Sequence, residues 1–222
     1  MHSKVRQIRS LVALGALLST AILPPPTAAQ ESRSASTTRT PDVIYVPTPQ
    51  PVVDKMLEMA AVKQGDVVYD LGCGDGRIVV AAAKKYGVKA VGFDIDPQRV
   101  KEANENVKSN KVEHLVTIKQ EDIFKLDLRE ASVVTLYLLP DLNVRLMPQL
   151  AKLKPGSRIV SHDFDMRGAK PVQQVQLSTN GGDSEEEHSG SHTIYKWVVP
   201  WEPENPEAPK KTEGAAAPAA KP

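Results

Sequence analysis

Between residues 42 and 199 the apolar positions follow two alternating patterns: short β-branched runs, and longer stretches with apolar side chains at helical spacing. "DVVYDL" (66–71) reads as a strand running into "GCGDGR", and "RIVVAAAKKY" (77–86) as the helix after it, with Gly87 suited to the position just past its end. "KAVGFD" (89–94) predicts a second strand. Asp96 and Pro97 then supply an N-cap and a first-turn residue for the helix "PQRVKEANENVKSN" (97–110). "LVTIKQ" (115–120) predicts a third strand, and "ASVVTLYLL" (131–139) a longer one at the sheet centre, buried on both faces. "LNVRLMPQLAKL" (142–153) predicts a helix kinked or broken near Pro148, and "KPGSRIVSHDF" (154–164) a turn into a fifth strand. "PVQQVQL" (171–177) and "HTIYKWVV" (192–199) complete the set as two strands separated by a polar loop of about a dozen residues. Strands alternating with helices predict an α/β fold, a mostly parallel sheet covered on both faces; the last two strands, joined without a helix, predict an antiparallel hairpin at one edge.

The ends of the chain break this pattern. Lys4, Arg6 and Arg9 precede the apolar run "LVALGALLSTAIL" (11–23), small residues follow at Thr27 and Ala29, and no acidic side chain occurs before Glu31. This is the pattern of a secretory signal peptide cleaved after Ala29. The apolar run is short for a bilayer span, so an uncleaved anchor is the alternative; an organellar presequence fits less well, because the run is apolar throughout rather than amphipathic. The expectation is an exported or membrane-anchored protein, or a cytoplasmic one if residues 1–29 do not act as a signal. Residues 30–41 are expected to form a flexible polar linker, and residues 200–222, rich in Pro, Ala and charge, a disordered tail. That leaves residues 42–199 as the folded domain.

Of 222 residues, this accounts for one domain of ordinary size. A net charge of +1 argues against dependence on DNA. A single cysteine, Cys73, excludes an intramolecular disulfide and leaves no zinc-type cysteine cluster, and no metal-ligating set is read from the sequence.

The chemistry concentrates at "DLGCGDGR" (70–77). A P-loop needs Lys followed by Ser or Thr after its glycines, and here Arg77-Ile78 follows. The dinucleotide fingerprint needs G-x-G-x-x-G; Gly72 and Gly74 fit, but Gly76 falls one place early. Asp70, directly before the loop, would repel a pyrophosphate and attract a cationic amino-acid moiety, which suits S-adenosylmethionine with its ammonium and sulfonium. Asp94 ends the second strand, where its two oxygens can accept from both ribose hydroxyls. Asp122 offers an acceptor for the adenine amine, and Ile95 and Ile123 can sandwich the base. Cys73 sits as a small residue packed under the cofactor, since no base for a thiol nucleophile is evident.

With these acids and "DLGCGDG" in place, the sequence resembles the class I S-adenosylmethionine-dependent methyltransferases over nearly all of residues 42–199, through "VGFDID", "EDIF", "LYLLP" and "LKPGSRIVSHDFDM" as well. Within that superfamily it is most similar to the small protein-lysine methyltransferases whose mitochondrial members modify an ATP synthase subunit and the adenine nucleotide carrier. The segments that carry this are "YVPTPQPVVDKML" (45–57), "DLGCGDGRIVVAAAKK" and "VVTLYLLPDLNVRLMPQL" (133–150). The resemblance implies a Rossmann-like seven-stranded methyltransferase sheet, Tyr45, Val46, Pro47 and Thr48 folded over the cofactor, and Tyr137, Leu138 and Pro140 lining an acceptor channel. Tyr45 and Tyr137 are the candidates for orienting a lysine acceptor, and His162 for accepting a proton or positioning substrate. Tyr137 can equally be core filling, and a lone histidine is more often structural. The glutamates 185–187 can attract a basic peptide or simply form a solvated loop.

The leading expectation is therefore methyl transfer to a protein lysine. Methylation of a small molecule, a lipid or RNA is the alternative, RNA being disfavoured by the lack of basic stretches interleaved with aromatics. A third reading, from another class, is an exported module that binds S-adenosylmethionine without catalysis, because a cleaved signal would part the enzyme from a cytosolic cofactor.

Overall fold

The computed structural model describes residues 40–179 and 190–204. The signal-like segment, nearly all of the linker, glutamates 185–187 and the tail beyond residue 204 lie outside the described residues. One seven-stranded sheet organises the rest, in the order β3-β2-β1-β4-β5-β7-β6. Strands β1 (Val67–Leu71), β2 (Lys89–Asp94), β3 (Val116–Gln120), β4 (Val133–Leu136) and β5 (Arg158–His162) are parallel. The last two, β6 (Gln173–Thr179) and β7 (Gly190–Val198), form the expected antiparallel pair, with β7 inserted between β5 and β6. Chain order reverses between β1 and β4, which opens a crevice at the carboxyl ends of those strands.

Helices α1 (Gln50–Met59), α2 (Arg77–Tyr86) and α3 (Pro97–Ser109) cover one face, packing Met56, Leu57, Val79 and Val107 against Val68, Val133, Val160 and Ile194. Helix α4 (Pro140–Leu150) covers the other, where Leu146 and Leu150 join Leu71, Leu136, Ile159 and Trp197. Helix starts follow local chemistry. Asp96 caps α3 by accepting from the Gln98 amide at 2.8 Å, Pro97 needs no amide partner in the first turn, and Gly76, in a left-handed conformation, caps α2.

Three expectations change. Strand β4 stops at Leu136, three residues early, because β1 leaves the sheet at the glycine loop and the last pair is Leu71↔Leu136; Tyr137 to Leu139 are freed for the crevice wall. No break occurs at Pro148. Helix α4 runs through it, held by buried Leu146 and Leu150 and by Gln149, whose side chain donates to the carbonyls of Leu126 (2.9 Å) and Ile123 (3.3 Å). The body also continues past residue 199. Lys170 N–H donates to the Glu202 carbonyl, Glu204 N–H to the Gly168 carbonyl, and Trp201 packs on the α4-side core.

Candidate active site

The loop after β1 is built by its neighbour. Gly72 turns the chain at φ +84°, and the amides of Gly72 and Cys73 both donate to the Phe93 carbonyl of β2, at 2.8 and 2.9 Å. Asp94 continues the link, with Oδ2 accepting from the Gly74 amide and Oδ1 from the Asp96 amide, both at 2.9 Å. Each oxygen expected to meet a ribose hydroxyl thus already accepts a backbone N–H, which leaves a lone pair on each for a ligand and fixes where they point. Burial raises the Asp94 pKa. Cys73 is packed beneath the loop, so close to Gly92 that a Cβ there would lie 2.8 Å from its sulfur, and burial pushes its thiol well up, the opposite of a nucleophile's environment.

Asp70 is more extreme. Its register partner on β4 is Thr135, whose hydroxyl donates to Oδ1 at 2.7 Å. Burial pushes the carboxyl up to about 7, Thr135 opposes that shift, and repulsion from Asp94 and Asp75 adds to it. Among the described residues no ion pair reaches Asp70. A buried acid at a cavity, without a counter-charge, is suited to a cationic ligand group.

The segment before α1 closes the top. Tyr45 lies on Gly74 so closely that a Cβ there would be 2.1 Å from the ring, and the Arg99 guanidinium sits 4.6 Å from the ring centroid. Arg77 holds this cover in place. Its Nη1 donates to the Thr48 carbonyl at 2.9 Å, while Nε and Nη2 grip the Asp75 carboxylate. Burial and Asp75 push the Tyr45 phenol up to about 12, so it stays protonated.

One cavity of about 260 Å³ brings together Tyr45, Thr48, Asp70, Gly72, Cys73, Asp94, Ile95, Asp122, Ile123, Tyr137 and Leu138. Asp122 lines it while capping a single 3-10 turn, accepting from the Phe124 amide at 3.1 Å. Gly74 lies under Tyr45, Gly76 packs on Ala103, and Pro140 opens α4, its place in the wall taken by Leu139 and Leu142. His162 does not line the cavity. It is fully buried behind Tyr137, with ring centroids 3.9 Å apart, and burial lowers its pKa. Sequence reasoning did not single out Thr135, Arg99, the Phe164 wall or the partner role of His192. Thr135 and His192 act across strand pairs, and a sequence carries no local signal of the register that joins them.

Residues 70–173 match the ANTKMT methyltransferase domain family. A protein-lysine N-methyltransferase from Saccharolobus islandicus is 46% identical over 161 residues, 72% of this chain and 95% of that protein. This chain belongs to that methyltransferase family. The adenine nucleotide translocase lysine N-methyltransferase of Mus musculus is 30% identical over 71% of this methyltransferase and 69% of its own length. Among solved structures, one described as an RNA methyltransferase from Salinibacter ruber in complex with S-adenosyl-L-homocysteine is 47% identical, with a TM-score of 0.62, and covers 76% of this chain and 100% of its own. The sheet order and antiparallel closing strands of this methyltransferase match the fold expected from its sequence.

Proposed function

We propose that this methyltransferase moves the methyl group of S-adenosylmethionine to a lysine side chain of a protein. The observation that carries the donor half is Asp70: a buried carboxylate on the cavity wall, held by Thr135 and without an ion-pair partner among the described residues, fits the ammonium of the donor's amino-acid moiety. Likeness to a protein-lysine methyltransferase along 95% of that protein's length supports the acceptor.

When bound, the donor supplies an electrophilic methyl group on a positively charged sulfur. The chain's own residues supply placement. Asp94 offers its remaining lone pairs to hydroxyls, Ile95 and Ile123 present apolar surface for a base, and the Tyr45 to Thr48 cover excludes water. Tyr137, Leu138 and Phe164 line the same cavity, and Ile44, Val46 and Leu139 form an exposed apolar rim. Such a wall disfavours a charged ammonium and so favours the neutral amine that attacks. Alignment and desolvation then account for catalysis without a dedicated base, consistent with His162 standing behind Tyr137 rather than at the surface.

Labelled donor incubated with the chain and fractionated extracts tests this. Label on protein lysines, lost with Asp70→Ala, is the expected result; label confined to RNA or small molecules would replace the acceptor, and the Salinibacter description makes RNA the fraction to include. Export remains part of the proposal through Lys4, Arg6, Arg9 and the apolar run 11–23, and the N-terminal sequence of the mature chain tests it. Among the described residues no helix is long and apolar enough to cross a membrane.

A further inference from the structure

We propose that His162, Asp163 and His192 form a binding site for one divalent transition-metal ion, with zinc as the reference ion. The three residues meet because β5 and β7 pair antiparallel with His162 opposite Ile194, which puts His192 diagonally across on the same face. Three ligand atoms converge. His162 Nε2 lies 2.9 Å from His192 Nδ1, and Asp163 Oδ2 lies 3.2 Å from each of them. Nitrogen or oxygen ligands at about 2.1 Å from a common ion stand roughly 3.0–3.4 Å apart in octahedral or tetrahedral geometry, close to the edges of this triangle.

Protons alone serve the triangle poorly. Protonating one of the two nitrogens satisfies only the edges it can donate along, leaving the remaining edge as lone pair against lone pair. Protonating both sets two N–H groups against each other at 2.9 Å. One cation at the centre satisfies all three edges.

The supporting shell is in place around two of the three ligands, while the buried Nε2 of His192 has no hydrogen-bond partner among the described residues. The second oxygen of Asp163, Oδ1, accepts from the Thr193 amide at 2.8 Å, and the second ring nitrogen of His162 faces Thr48 Oγ1 at 3.3 Å. Asp163 adopts φ +58°, a conformation uncommon for a residue with a side chain, which turns its carboxylate back over the strand ends. His162 and His192 are buried while the Asp163 side chain keeps 28% exposure, so solvent can provide a fourth ligand from that side. Two imidazoles and one carboxylate favour zinc and its first-row neighbours over magnesium or calcium, which prefer oxygen ligands.

The ion would be structural. None of the three ligands lines the cavity, yet His162 touches both Tyr137 and Thr48, which do. An ion there ties β5 to β7 and fixes the platform behind the acceptor wall.

The full chain without a histidine tag, stripped with chelator, is titrated with zinc by calorimetry and, separately, with cobalt(II) by visible absorption. The proposal expects one ion per chain with micromolar or tighter affinity, a rise of several degrees in Tm at saturating zinc, and a cobalt spectrum of low-symmetry N/O coordination. Asp163→Asn and His192→Gln, checked for folding by circular dichroism and for retained S-adenosylmethionine binding, should each weaken zinc at least tenfold. Absence of stoichiometric binding by the wild-type chain would overturn the site, as would binding of unchanged strength in both folded variants.

Discussion

Two polar clusters sit on the carboxyl edge of the same sheet and differ in where their groups point. At the β1–β2 corner, Asp70 and Asp94 face a cavity, and the protein satisfies only part of their hydrogen-bonding capacity. At the β5–β7 corner, His162, Asp163 and His192 face one another behind Tyr137. The first arrangement stores unfavourable electrostatics for an incoming ligand to relieve; the second is closed to the cavity and acts on the wall through packing. Polar residues at strand ends are thus a poor guide to chemistry until their direction is known.

The sharpest way to break the comparison is Asp70→Asn, which keeps the shape and removes the charge. S-adenosylmethionine affinity should fall by about a hundredfold or more, since a buried charge-assisted contact is lost. The ligand-free protein should behave in the opposite sense. The folded pKa of Asp70, about 7, lies above its unfolded value, so its contribution to stability is complete below the unfolded pKa and is lost as pH rises through about 7. The asparagine variant should remove that loss, worth at most about 4 kcal/mol, and unfold later than wild type at pH 8 in denaturant titrations. Equal or lower stability at pH 8 would show that the acid is not strained.

Gly74→Ala attacks the cover instead. The added methyl meets the Tyr45 ring at a backbone position with φ +53°, so both the loop and the cover must move. Cofactor affinity should drop about tenfold or more, and stability by about 1–3 kcal/mol.

Wild-type affinity measured against pH sharpens the same contrast. Binding a cation requires ionised Asp70, so affinity should fall up to tenfold per unit as pH drops below about 7, and this dependence should vanish in Asp70→Asn. The smallest effect is expected for Tyr137→Phe. Its ring keeps its contact with His162, so cofactor affinity should hold; if the hydroxyl orients the acceptor, turnover falls by about three- to tenfold. Unchanged turnover would make Tyr137 wall packing only.

Much of this was legible in the chain itself. The helices after β1 and β2 start and stop where Gly76, Asp96-Pro97 and Gly87 indicate, because caps act through neighbours in sequence. The acids of the cavity wall were legible for a related reason: Asp70, Asp94 and Asp122 lie within two residues of a strand end, and strand order places those ends together. Less legible was the length of β4, set by where its partner β1 leaves the sheet, and the unbroken α4, where burial of Leu146 and Leu150 outweighs the missing amide of Pro148.

By itself the sequence determined the alternating elements, the glycine turn and the acids that rim it, since all of these depend on residues within a few positions of one another. Only the tertiary structure decided that Thr135 restrains Asp70, that Arg77 pins the cover through Thr48, and that His162 turns away from the cavity toward His192. Those outcomes depend on strand register and on side-chain direction across the sheet, which arise from packing many distant residues at once.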